Sequence, residues 1–197
     1  DPEGRRIAVN NSDRTSPRVA ILELETGRVL ADWRSQVGTS ALCWSADGQL
    51  LAVGSHELDS RVYVWNVPRG VLASVLQGHF NNVFRVQFAH SGYLLATSSW
   101  DGTTRLWDAA SGEPLALAPG TLHGSFAPDD RRLAFAVGGK VGAWDVAAAP
   151  ECLTLHPGMP GNRSETPHVL REILQTADIS PDGRLVATAD EDGVGLW

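Results

Sequence analysis

His79, Thr97 and Asp101 are the residue types from which a nucleophilic set is made: a hydroxyl, an imidazole to take its proton and a carboxylate to orient the ring. Trp107 follows shortly after them. No glycine-rich oxyanion-hole motif accompanies the three, and the indole adds a donor that suits a static hydrogen-bond network better than a reaction. The other histidines, at 56, 90, 123, 156 and 168, show no spacing that suggests a ligand pair and read as solvated loop residues. His56-Glu57 lacks the second histidine four residues on that a zinc-protease helix needs. Gly139-Lys140 invites comparison with a phosphate loop, but residue 134 is alanine and Val141 stands where serine or threonine is required, so it reads as a hairpin turn. The acids Asp129-Asp130 and Asp190-Glu191-Asp192 fall in turns, where carboxylates bind their own backbone in preference to calcium or a substrate. Asn10-Asn11-Ser12 and Asn162-Arg163-Ser164 fit the glycosylation pattern, which also arises often by chance. Cys43 and Cys152 match neither zinc spacing nor a disulfide framework, which suits a reducing compartment, and the expected location is the cytoplasm. No cofactor or metal is expected.

Composition sets the kind of scaffold. The chain has 197 residues, 43% hydrophobic and 20% charged, enough apolar surface to offset chain entropy and exclude disorder. Its 20 glycines and 11 prolines favour tight turns between short strands. The net charge of −7, with basic residues scattered singly or in pairs, offers no stripe for nucleic acid. Apolar runs such as Leu133–Val137 are far shorter than the ~20 residues of a membrane helix, so no membrane contact is expected.

One unit recurs five times. It opens with a turn and an apolar run: Pro2–Val9, Ala46–Val53, His90–Thr97, Pro128–Ala136 and Pro181–Thr188. Gly4, Gly48, Gly92 and Gly183 occupy the turn, and Asp130 takes that place in the fourth unit, where a short polar side chain tolerates the left-handed conformation. A second run then ends at Leu22, Trp65, Trp107, Trp144 and Trp197, which are 43, 42, 37 and 53 residues apart. Runs of about five apolar residues between turns predict strands. Because the central runs barely alternate, both faces of each sheet should be covered by neighbours. Gly27, Gly70 and Gly112, each five residues after the aromatic position, lead into a fourth strand such as Val71–Leu76.

Four strands per unit, a period near 42, Gly78-His79 before a first strand and Trp107-Asp108 closing a third together resemble the WD-repeat β-propeller family over essentially the whole chain. The turn style, with Pro-Asp-Gly-Arg-Leu at 181–185, looks like propellers attached to bacterial multidomain proteins, including serine/threonine protein kinases. The expected fold is all-β, with about five four-stranded antiparallel blades forming a partial ring. Their approximate ranges are 1–33, 34–76, 77–118, 119–156 and 170–197, with an inserted loop at 157–169. Eighteen strands are expected. Because the chain starts at Asp1 partway through a unit, stops at Trp197 inside a strand and has Met159 as its only methionine, it reads as an arc that needs further blades of a parent chain. Alone it is expected to aggregate or melt early.

The resemblance implies that His79, Thr97, Asp101 and Trp107 form a buried structural network, of which the second unit keeps Asp59, six residues before Trp65, without a Gly-His pair before it. It implies a non-catalytic platform for a protein or peptide partner, bound where loops enter the first strand and join the second to the third. Those positions are Asn82, Phe84, Arg85 and Trp100, with Leu58 and Glu191 as the nearest equivalents in other units. Trp and Arg are the types that most often anchor interfaces; the competing reading packs Trp100 against a neighbouring blade. The inserted loop, with His156, Met159, Arg163 and His168, is a second candidate. Two rivals stand beside this one: the regulatory propeller of a bacterial protein kinase, whose catalytic motifs are not in this segment, and a propeller enzyme using acids such as Asp101 or Asp192.

Overall fold

Short apolar runs framed by Gly, Asp and Pro have too few residues for a helix and enough for a strand, and the described backbone follows that choice. A computed structural model describes residues 1–11, 17–34, 38–55, 59–120, 125–137, 140–146, 153–155, 176–180, 185–190 and 193–196. No helix occurs among them. The chain divides into two units, Asp1–Ala118 and Pro119–Trp197.

The first unit holds three antiparallel sheets whose strands pair in chain order. The first contains β1 (Arg6–Asn11), β2 (Arg18–Glu23) and β3 (Val29–Arg34). The second has four strands: β4 (Thr39–Trp44), β5 (Leu50–Ser55), β6 (Val62–Asn66) and β7 (Val71–Leu76). The third repeats that plan in β8 (Val83–Phe88), β9 (Leu94–Ser99), β10 (Thr103–Asp108) and β11 (Pro114–Pro119). The second unit has two three-stranded sheets. One is β12 (Arg132–Val137), β13 (Lys140–Val146) and β14 (Leu153–Leu155). The other is β15 (Thr176–Ile179), β16 (Val186–Asp190) and β17 (Gly193–Leu196).

The described residues thus show 17 strands where eighteen were expected. For the first strand expected in the fourth repeat, the described residues show a bridge between Phe126 and Leu133, and residues 121–124 before it lie outside them. In the hairpin that comes next, Asp130 has φ 57°, close to the 65° of Gly92, so aspartate adopts the left-handed turn in glycine's place.

Stacking of the second sheet on the third explains the unbroken apolar runs. All of β5 and nearly all of β9 are buried. Leu50, Val64 and Leu76 from one sheet share a core with Val86, Leu95 and Trp107 from the other, each large side chain contributing about 2 kcal/mol by leaving water. The approach is close enough that a Cβ on Gly54 would lie 2.9 Å from the Val83 carbonyl oxygen. Polar bonds cross the same seam: the Ser40 hydroxyl donates to the Val83 carbonyl, and Ser74 Oγ donates to the Ala109 carbonyl at 2.6 Å. The first sheet differs. β1 alternates half-buried and exposed residues, with Ile7 and Val9 remaining 43% and 40% exposed. The expectation that both faces are covered therefore matches the buried β5 and β9 and not the first sheet, where β2 supplies the buried Val19 and Ile21 that meet Leu51 and Val53 of β5.

Candidate functional site

Two features of the third sheet converge at one end: a buried polar chain and an exposed aromatic pair. The chain begins at Trp107 on β10, whose Nε1–H donates to Thr97 Oγ1 on β9 at 2.8 Å. Thr97 Oγ1 lies 2.8 Å from His79 Nε2, and His79 Nδ1 lies 2.8 Å from Asp101 Oδ2. One proton arrangement gives every group a partner. The threonine hydroxyl donates to Nε2, and the neutral imidazole donates from Nδ1 to the carboxylate. Burial pushes the His79 pKa below its usual value, against the opposing pull of Asp101, which fits a neutral ring. For Asp101 burial alone would raise the carboxyl, but bonds from Thr103, His79 and the Phe80 N–H outweigh it and hold the pKa at about 2.

The order Thr–His–Asp is that of a nucleophilic triad. Here the hydroxyl is fully buried and already accepts an indole proton, so no substrate carbonyl can reach it. Among the described residues, no group of His, Cys, Asp or Glu side chains gathers as metal ligands. The work the chain does is mechanical. Asp101 accepts Phe80 N–H at 3.0 Å and Thr103 N–H at 2.9 Å, and Trp100 N–H donates to the Asn82 carbonyl at 3.0 Å. The loop entering β8 is thereby tied to the turn between β9 and β10.

That tied loop pair carries the aromatics. Trp100 is 65% exposed, and its ring meets Phe84 of the same sheet at a centroid distance of 4.9 Å and 41° between planes. Phe84 is the extra residue of a bulge, since Val83 pairs with Ser99 and Arg85 already pairs with Ser98. A bulge re-aims a side chain that strict alternation would send elsewhere. Asn82 and Arg85 are half-buried on either side of it. Of the positions named from sequence, Asn82, Phe84, Arg85 and Trp100 therefore fall at one end of the sheet; Leu58 and Glu191, like the inserted loop, lie outside the described residues. Phe80 was missed. It is 86% exposed, more than any other large hydrophobic described, and the Arg105 guanidinium lies 6.0 Å from its ring centroid. The signal was available: Phe80 directly follows Gly78-His79 in a loop already assigned to the binding end.

Register explains why the second and fourth sheets lack the chain. Trp107 pairs with Leu95, and Thr97 comes two residues later. In the second sheet Trp65 pairs with Leu51, which puts Val53 in the threonine's place. In the fourth, Trp144 pairs with Leu133, so Phe135 stands there. Trp144 Nε1 is accordingly buried without a partner among the described residues, its ring 5.0 Å from that of Phe135. Asp59 of the second sheet's loop accepts the Tyr63 hydroxyl at 2.7 Å.

Residues 28–66 and 70–108 match the family model described as WD domain, G-beta repeat. Each matched stretch resembles a WD repeat, and the antiparallel sheets make an all-β chain consistent with blades of that kind. Among curated relatives, the chain is similar to a periodic tryptophan protein 2 homolog of Schizosaccharomyces pombe, 34% identical over 117 residues, covering 57% of this chain and 14% of that protein. Similarity to apoptotic protease-activating factor 1 of Rattus norvegicus runs to 26% over 189 residues, 89% of this chain and 14% of that protein. Guanine nucleotide-binding protein subunit beta-5b of Danio rerio is 30% identical over 109 residues, 54% of this chain and 26% of that protein. The chain thus spans a small part of each of these relatives. All three are eukaryotic proteins, and the bacterial setting expected from the turn style gains no support from them.

Proposed function

We propose that these blades serve as a non-catalytic docking platform, and that the end of the third sheet bearing Phe80 and Trp100 takes a protein partner. The observation that carries the reading is two large aromatic side chains held in water on backbone that Asp101 and Asn82 pin in place. Leaving such surface exposed is unfavourable unless a partner covers it, and pinning its backbone lowers the ordering cost of binding. Phe84 under Trp100 and the half-buried Arg85 complete an anchor of the composition that interfaces favour. WD repeats as protein-interaction scaffolds fit this reading; attachment to a bacterial kinase has no observation in its favour. The test is affinity purification from the native cell with the full-length protein, comparing wild type with Trp100→Ala and Phe80→Ala. The expected result is loss of a specific set of co-purifying proteins from both variants with an unchanged melting temperature. An identical set from all three would remove this end from the binding surface.

A further inference from the structure

Between the first and second sheets, in the same unit and away from the Phe80–Trp100 pair, lies a cleft of about 340 Å³. Trp33 from β3 and Trp65 from β6 line it, their rings stacked at 4.9 Å and 18° although they come from different sheets. Val19 and Val53 add buried aliphatic surface. Two guanidiniums border this apolar lining. Arg61 is held by Asp59, with Nε 3.3 Å from the carboxylate, and the same carboxylate accepts the Tyr63 hydroxyl at 2.7 Å. Asp59 therefore fixes a phenol and a guanidinium before anything binds. Arg34 is exposed and has no carboxylate partner among the described residues. Among the described residues, two cations against one carboxylate make this lining positive in a chain whose net charge is −7.

We infer that the cleft binds a short acidic segment of another protein, seating one aromatic side chain between the sheets with flanking carboxylates on Arg34 and Arg61. The volume is at the small end of the ~300–1,000 Å³ range of ligand sites, which fits one side chain better than a large cofactor. Aromatic walls accept a ring by offset or tilted contact, and guanidiniums accept carboxylates by paired bonds. A peptide is the favoured source because β7 starts beside the cleft with Val71 and Leu72 51% and 41% exposed, an apolar rail for residues flanking the seated ring.

The test uses the full-length protein and a fluorescein-labelled peptide, Ala-Glu-Phe-Asp-Ala, followed by fluorescence anisotropy. A control peptide carries lysine in place of both acids, and phenylacetate serves as a small-molecule competitor. Saturable binding of the acidic peptide is expected, about tenfold tighter than the control. Arg34→Gln should weaken it and Arg34→Glu abolish it, both with an unchanged melting temperature, whereas Trp100→Ala should leave it intact. No saturation to about 1 mM, equal binding of the lysine peptide, or undiminished binding by the folded Arg34 variants would overturn the proposal. Phenylacetate binding more tightly than the peptide would also overturn it, by making a small aromatic acid the occupant. Loss of binding in Trp100→Ala would move the site to the third sheet and equally sink the cleft.

Discussion

At the scale of single residues, Thr97 is the hinge of the account, because its one hydroxyl satisfies both Trp107 and His79. Thr97→Val keeps the shape and removes the hydroxyl, leaving a buried indole N–H and an imidazole nitrogen unpaired. The cost should be about 2 kcal/mol, read as a lowered urea midpoint of the full-length protein; a change under about 0.5 kcal/mol would show that the chain is dispensable. Acid should act through the same groups. The folded His79 resists a proton that the unfolded ring takes up near 6.5, so its contribution is whole above that pH and declines below it. Asp101 adds a second loss lower down, as pH falls past the unfolded value of 3.8 toward its folded pKa of about 2. Urea midpoints measured at pH 7 and pH 5 should therefore fall in the wild type and fall less in His79→Gln; equal slopes would contradict the neutral buried ring. These four residues were legible from sequence only through the family resemblance. Val53 and Phe135 in the threonine's register position show why identical-looking units differ: a Leu-Ala pair precedes each, and one side chain decides whether the tryptophan finds an acceptor.

At the scale of elements, the repeat in sequence and the sheet in space are offset by one strand. Residues 28–66 run from β3 of the first sheet through β6 of the second, and 70–108 run from β7 through β10. Each repeat thus spans a seam, and seam quality becomes a property of the repeat. Gly54 is the tightest point observed at the second seam. Gly54→Ala would place a methyl 2.9 Å from the backbone oxygen of Val83, which cannot rotate away. A loss of roughly 1–3 kcal/mol is expected, seen as a lower melting temperature, and an unchanged melt would mean the sheets slide freely. Strand positions were readable from turn chemistry. The bulge at Phe84 was harder to read, because its mark is the spacing of buried Val83, Val86 and Phe88, three and then two, which emerges only once burial is known. The Trp33–Trp65 stack had no sequence signal, since its partners sit in different sheets and meet through packing alone.

At the scale of the whole molecule, apolar runs build sheets, the second and third sheets bury one another, and the loop ends carry the residues left in water. Ser111 lies in the turn between β10 and β11, at the end of the third sheet opposite Trp100, and is exposed as well. It offers an internal control for the claim that one end is used. A photo-crosslinking amino acid placed at position 100 of the full-length protein, and separately at 111, should be irradiated in the native cell. A protein adduct of defined mass is expected from position 100 and none from 111. Adducts from 111 with none from 100, or none from either, would contradict it.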